Sequence, residues 1–236
     1  AWEELYSGAL NDFKAVKDKA SENENWSYFL MSTVLESYTY QVLVDLYNKI
    51  PYSEALQGAE NINPKFDNGE VVYDDLISKI DNALAKNLDA SSVSNPGAKD
   101  FIFNGDMDQW VRFANTLKLK IFLRQRYANP TIAENGINDM YNNGAEFLET
   151  NASMDVFQDA DSKSNPFYEM DRRQLNTPNN LRASETMFNW LEGNSDPRTE
   201  YLYNEAENGG YEAMPQGSHN ASNSQIDPDD ISVVHL

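Results

Sequence analysis

Cysteine is absent from the 236 residues, and with it go disulfides, thiolate nucleophiles and cysteine-based zinc sites. Histidine is nearly absent: His219 and His235 are the only two, both in a polar C-terminal tail. Without a Gly-x-Ser-x-Gly elbow, a Ser-His-Asp triad has no support, and no glycine-rich phosphate cradle occurs either. Positive charge is scarce. Lys and Arg number 18 against 38 Asp and Glu, a formal charge of −20. Such a surface repels phosphate backbones and anionic lipid, which removes nucleic acid as a primary partner and a bare electrostatic hold on a membrane. It suits neutral ligands such as sugars, although charge alone picks no ligand. No run approaches the ~20 apolar residues of a membrane span. No secretory signal opens the chain, since Ala1-Trp2-Glu3-Glu4 reads as the start of a helix. If the protein is exported, its signal and anchoring residue are expected outside this sequence. A convincing run of alternating strands is missing as well.

What the chain does hold is helix. Trp2, Leu5, Tyr6, Ala9, Leu10, Phe13 and Val16 recur at three- and four-residue steps and form one apolar stripe. From Trp26 to Tyr47 apolar residues cover most of the circumference, with Glu36 and Asp45 the only charges. A helix apolar all round is buried on several sides, so this one is expected at the centre of the packing. Pro51 is read as the stop, followed by an Asn-, Pro- and Gly-rich loop to Gly69. A third helix carries Val72, Leu76, Ile77, Ile80, Ala83, Leu84 and Leu88. A fourth runs from about Asp108 to Tyr127, with Trp110, Phe113 and Leu117 inside and either Asp106 or Asp108 at its start.

The fourth helix also concentrates Arg112, Lys118, Lys120, Arg124 and Arg126, which in so acidic a chain are expected to pair with carboxylates on neighbouring elements. Asn129-Pro130 opens a weaker fifth helix, with Ile132, Ile137, Met140 and Tyr141 as its apolar positions and Gly144 as its end. Beyond residue 145 Asn-, Ser-, Asp- and Gly-rich stretches surround one short helix, capped by Ser184 and ended by Gly193, with Met187, Trp190 and Leu191 inside. The fold class is therefore all-α. Residues 1–145 form stacked antiparallel helix pairs of a tetratricopeptide-like kind, and 146–236 form a loop-rich, ligand-binding portion packed on that scaffold as one structural unit.

Four patches, in order, resemble one family. Leu43-Val44-Asp45-Leu46-Tyr47-Asn48-Lys49-Ile50-Pro51-Tyr52-Ser53-Glu54-Ala55 is similar to a "DxYGxIPYSEA" segment, with Asn48 where glycine is usual. Pro64-Lys65-Phe66-Asp67 with Val72-Tyr73-Asp74-Asp75-Leu76 resembles "PKYD … VYxxL". Gly105-Asp106, Trp110, Phe113-Ala114-Asn115-Thr116-Leu117-Lys118 and Arg124 resemble "GDxxxWxxFANSLKLRxxxR". Asn165-Pro166-Phe167-Tyr168, Asp196-Pro197-Arg198 and Gly209-Gly210-Tyr211 complete the set. Together they resemble the SusD-like (SusD/RagB) nutrient-binding lipoproteins, and this chain looks like an internal portion of a longer member about twice its length.

The resemblance implies a lipid-anchored protein on the cell surface of a Gram-negative outer membrane, capping a SusC-like TonB-dependent transporter and capturing oligosaccharides or, in some branches, peptides. Membrane association would come only through an N-terminal lipid anchor absent from this chain. No cofactor and no metal are expected; Asp159, Asp161 and Asn165 have alternating spacing, but Lys163 and a missing glycine spoil a calcium loop.

Ligand contacts are expected where aromatic and amide side chains lie in loops, since sugars offer an apolar face for stacking and hydroxyls for polar groups. The candidates are Trp26, Tyr52, Tyr168, Arg172, Arg173, Asn176 and Tyr211, with Asn179, Asn180, Tyr201 and Tyr203 nearby. Arg198 is read as tying the tail to the helical body through a carboxylate. No catalytic residues are assigned. Glycoside hydrolysis is the rival, as it needs only two carboxylates, and a helical-repeat adaptor binding proteins is another.

Overall fold

A computed structural model describes residues 2–90, 92–175, 180–217 and 227–234. It divides into two compact units, residues 1–156 and 157–236. Helix dominates unit 1 and supplies short segments of unit 2, and the all-α class holds.

Unit 1 begins with α1 (Trp2–Glu4), which runs through a π-helical stretch, Leu5–Leu10, into α2 (Asn11–Glu22). The turn at 23–25 reverses the chain into α3 (Trp26–Tyr47). Then follow β1 (Lys49–Pro51), β2 (Phe66–Asn68), α4 (Gly69–Leu84), α5 (Met107–Gln125) and α6 (Pro130–Asn142). Helices pack in chain order, α2 on α3, α3 on α4, α4 on α5 and α5 on α6, while α3 also meets α5. As its pattern requires, α3 is buried around its circumference: Leu30, Val34, Leu43 and Val44 are buried together with Ser32, Thr33, Glu36, Ser37 and Gln41.

Pro51 is not what ends α3. The helix stops at Asn48, whose backbone turns to φ 62 while its N–H bonds Val44 O at 2.8 Å; Asn tolerates that conformation. The chain then forms an antiparallel two-stranded ladder, Lys49 opposite Asn68 and Pro51 opposite Phe66. Three-residue strands are too short for an alternating pattern to register.

The loop before α5 is organised by one carboxylate. Asp100, 4% exposed, accepts from the backbone N–H groups of Ile102 (3.0 Å), Phe103 (3.2 Å) and Gly105 (2.9 Å), and from Trp110 Nε1 at 2.7 Å. Gly105 is at φ +84, and an added Cβ would lie 2.2 Å from Asn95 Oδ1 and 2.6 Å from the Gly97 nitrogen, so only glycine fits. Asp106, rather than Asp108, caps α5 by accepting from the Asp108 and Gln109 N–H groups. Trp110 lies fully buried, edge-on to Phe103 at 5.3 Å.

Three of the five basic residues read onto this helix pair with carboxylates on other segments. Arg112 pairs with Glu146 at 2.9 Å, Lys118 with Asp81, and Arg124 with Asp45 at 2.9 Å. Lys120 instead lies over the Tyr38 ring at 4.9 Å, and Arg126 over the Tyr127 ring at 4.6 Å. On α6 the expected face is displaced. Ala133 and Met140 are buried while Ile132 and Tyr141 are exposed, because Gly136 sits against the Phe122 ring, where a Cβ would come within 2.3 Å of ring carbons. Asn129 occupies the cap position of α6 but its side chain makes no cap bond.

Unit 2 contains α7 (Pro166–Tyr168), a π-helical continuation Glu169–Gln174, α8 (Glu185–Gly193), α9 (Thr199–Leu202), β3 (Tyr203–Asn204) and β4 (Val233–Val234). Its small core joins Ala183, Leu191 and Tyr203 with Phe188, Leu202, Tyr211 and Val234. Strand β3 pairs antiparallel with β4, and Ala183 N–H to Ser232 O (2.9 Å), Ser232 N–H to Glu212 O (2.9 Å) and Met214 N–H to Ala183 O (2.8 Å) stitch distant segments together. This portion is less irregular than its composition suggests, because the pairing partners lie far apart in sequence.

Two outcomes are expected. Gly136→Ala should destabilise the protein by about 1–3 kcal/mol in denaturant unfolding, overpacking Phe122 and outweighing the ~1 kcal/mol that alanine gains in helix propensity. Asp100→Asn should cost about 2–4 kcal/mol at neutral pH, since it sets an amide donor against four donors. Burial pushes the Asp100 carboxyl up, but the Trp110 and backbone hydrogen bonds outweigh it and hold it below the usual range. A depressed folded value means the contribution is complete above the unfolded value of about 3.9 and is lost as pH falls through the folded one. The gap between Asp100→Asn and the parent should therefore narrow below about pH 4.

Candidate functional site

The candidates drawn from the sequence fall in both units. In unit 2, Asn165 Oδ1 accepts from the Phe167 (2.9 Å) and Tyr168 (3.3 Å) N–H groups, and Pro166 takes the first helical position, where its missing N–H costs nothing. This cap fixes α7 with both rings outward, Phe167 at 52% and Tyr168 at 40% exposed. One and a half turns on, Arg173 Nε meets Glu169 at 2.9 Å and its Nη1 meets Asp159 at 3.1 Å. Arg172 Nε lies 3.3 Å from Asp171 Oδ2. That contact is an ion pair without hydrogen-bond alignment, and Arg172 Nη1 and Asp171 Oδ2 are buried with no hydrogen-bond partner among the described residues. Tyr168, Arg172 and Arg173 thus share one helical segment. Tyr211 belongs elsewhere, half-buried against the small core. Asn176 and Asn179 lie outside the described residues, as do His219 and His235.

In unit 1, Trp26 opens α3 and stands edge-on to Phe29 at 5.6 Å, with Lys86 Nζ over its ring at 4.7 Å. Tyr52 is 9% exposed. Its hydroxyl bonds Asp75 and accepts from Lys79 Nζ at 2.8 Å, Lys79 also covers the ring at 4.5 Å, and Tyr40 packs edge-on at 4.7 Å. Burial and the Asp75 carboxylate drive its ionisation far above the usual tyrosine range. Little of that ring is left for a ligand.

Sequence reading placed Met187 and Trp190 inside α8, and the structure overturns that. Leu191 is fully buried, whereas Met187 is 45% and Trp190 55% exposed. In nine residues the sets 187/190/191 and 188/191 fit a helical stripe equally well; the choice falls to Tyr203, which packs on Phe188 at 6.1 Å. On α9, which contacts α8, Tyr201 is 78% exposed. Two short helices therefore present an indole and a phenol to solvent, outside the unit-2 core. Their polar surroundings include Asn194, which bonds Trp190 O at 2.6 Å.

The turn before α9 is also local. Arg198 clasps Asp196 through Nε at 2.9 Å rather than reaching a distant carboxylate, and this hydrogen bond draws the Asp196 carboxyl down to about 2. Asp159 is taken by Arg173 and Asn165 by its capping role. Among the described residues no group of three Asp, Glu, His or Cys is gathered tightly enough to hold a metal ion, and no helix is long and apolar enough to cross a membrane.

Three comparisons bear on this arrangement. The SusD-like family model, described as starch-binding and associating with the outer membrane, matches residues 1–234. Among solved structures, a SusD homolog from Bacteroides uniformis superposes with a TM-score of 0.81 at 20% identity, over 100% of this chain and 49% of its own. A chitin-binding SusD homolog from Flavobacterium johnsoniae gives 0.73 at 20% identity, over 99% of this chain and 48% of its own. A SusD/RagB family protein from Bacteroides thetaiotaomicron gives 0.74 at 21% identity, over 99% and 49%. At these identities the likeness establishes the fold, and the chain spans about half the length of the proteins it superposes on. No curated protein matched.

The split on α8 is directly measurable. Trp190→Ala should change unfolding free energy by less than about 1 kcal/mol, as an exposed substitution does, while Leu191→Ala should cost about 2–5 kcal/mol through the cavity it leaves.

Proposed function

The chain belongs to the SusD-like family, and on that premise we propose that it captures oligosaccharides for import, binding them without cleaving them. The observation that carries this reading is the pair of exposed rings on α8 and α9, Trp190 and Tyr201. Sugar rings present axial C–H faces to aromatic planes, and stacking there removes apolar surface from water while leaving hydroxyls for polar groups. Tyr168, with Arg172 and Arg173 on the same segment, supplies a second aromatic-and-polar stretch, and residues 146–236 hold the ligand while the helix pairs act as scaffold. A surface of net charge −20 suits neutral glycans better than anionic ones. The family description as starch-binding and the chitin-binding neighbour support glucans and N-acetylglucosamine polymers as the first ligands to try.

The same family premise supports a place at the outer-membrane surface, held by an N-terminal lipid anchor and partnered with a SusC-like, TonB-dependent transporter that receives the captured glycan.

Calorimetric titration of the chain with malto- and chito-oligosaccharides tests the proposal, with each mixture assayed afterwards for new reducing ends. Saturable heat without new ends is the expected result, and Trp190→Ala and Tyr201→Ala should each weaken binding about tenfold. New reducing ends would replace this reading with a glycosidase. Heat from peptides alone would move the protein to the peptide-binding branch, and binding to an envelope protein alone would make it an adaptor.

A further inference from the structure

Of the seven methionines in the chain, Met154, Met170 and Met187 are exposed. A single exposed apolar side chain calls for no explanation, so the neighbours decide what each one does. Met154 lies in a segment without secondary structure. Met170 follows Tyr168 by two residues, a separation at which helical side chains do not face each other. Met187 precedes Trp190 by three residues on α8. Side chains at that spacing are neighbours on a helix surface, with Cβ atoms ~5–6 Å apart. Met187 is 45% and Trp190 55% exposed, while Phe188 and Leu191, one step round the helix, turn to the core with Tyr203. One flank of α8 therefore holds a thioether and an indole side by side in solvent.

The pair suits a sugar better than the indole alone. A pyranose stacked on Trp190 offers apolar C–H groups to whatever adjoins the ring, and a thioether there takes more apolar area out of water. Methionine is unbranched and flexible, so it follows an irregular outline that a β-branched side chain could not.

Sulfur also makes the surface reactive. A peroxide transfers one oxygen atom to the thioether: its O–O bond breaks, an S–O bond forms, and hydrogen peroxide leaves as water. Sulfur is oxidised by two electrons and the peroxide is reduced by two. The product is a polar, chiral sulfoxide that reductases convert back to the thioether. Its new oxygen can accept from a sugar hydroxyl, but in solvent that bond replaces one to water and returns little. The apolar contact is lost outright, and that loss prevails.

Resting on the oligosaccharide reading of the α8 and α9 rings, we propose that Met187 completes the Trp190 surface as a ligand contact, and that peroxide oxidation of its sulfur reversibly weakens glycan capture.

The test is calorimetric titration of the full chain with malto- and chito-oligosaccharides before and after hydrogen peroxide, with the oxidised residues located by peptide mass spectrometry. One oxygen added at Met187 should weaken binding about three- to tenfold, and a methionine sulfoxide reductase should restore it. Met187→Gln, a polar side chain of similar length, should weaken binding about as much without peroxide. Met187→Leu conserves volume and should bind like the parent while resisting peroxide. Met154→Leu combined with Met170→Leu should leave the peroxide response intact. These positions are exposed, so the variants should fold as the parent does. Peroxide sensitivity that survives Met187→Leu, or parent affinity in Met187→Gln, would overturn the proposal. If Trp190→Ala weakens binding while peroxide and both Met187 variants leave it unchanged, glycan capture stands and the role of Met187 falls. A reduced parent that binds no oligosaccharide removes both.

Discussion

A helix buried along most of its length must satisfy its charged side chains largely inside the protein, and α3 imposes that condition on unit 1. Glu36, 5% exposed, is answered by Lys17 from α2. Asp45 is answered at once by Gln41 one turn back, Tyr73 of α4 and Arg124 of α5. Asp45 is itself partly exposed, and its three contacts tie α3, α4 and α5 together through one side chain. The apolar packing of Leu30, Val34, Leu43, Leu76, Ile80 and Trp110 supplies most of the stabilisation without direction; the polar contacts supply the direction.

Unit 2 is built differently. Its buried cluster is small, and its order comes from short caps and a ladder between residues dozens of positions apart, such as Ala183 and Ser232. A small core can bury only one side of an eight- or nine-residue helix, so the other side of α8 stays in solvent with Met187 and Trp190 on it. That economy of burial leaves aromatic surface in solvent, while unit 1 draws rings such as Tyr52 and Trp110 into its packing.

The residues that carry the family pattern are mostly structural in the finished molecule. Asp106 caps α5, Trp110 fills the core and bonds Asp100, and Arg124 neutralises Asp45. Asn165-Pro166-Phe167-Tyr168, by contrast, both fixes a local turn and presents rings to solvent.

The long helices of residues 1–145, α8, the central place of α3, the outward pairing of Arg112, Lys118 and Arg124, and the absence of thiol chemistry were legible in the sequence, because each follows from composition or from a period of 3.6 residues. The very short α7 and α9 and the pairing of Lys120 and Arg126 with rings were not. Tertiary structure alone decided the rest. Whether Trp190 or Phe188 faced the core depended on where Tyr203 lay. Gly136 turned α6 by letting Phe122 approach its backbone. Tyr52, a loop aromatic by sequence, was drawn inside by Asp75 and Lys79, 23 and 27 residues away. In each case the deciding partner is distant in sequence, and a local pattern carries no information about it.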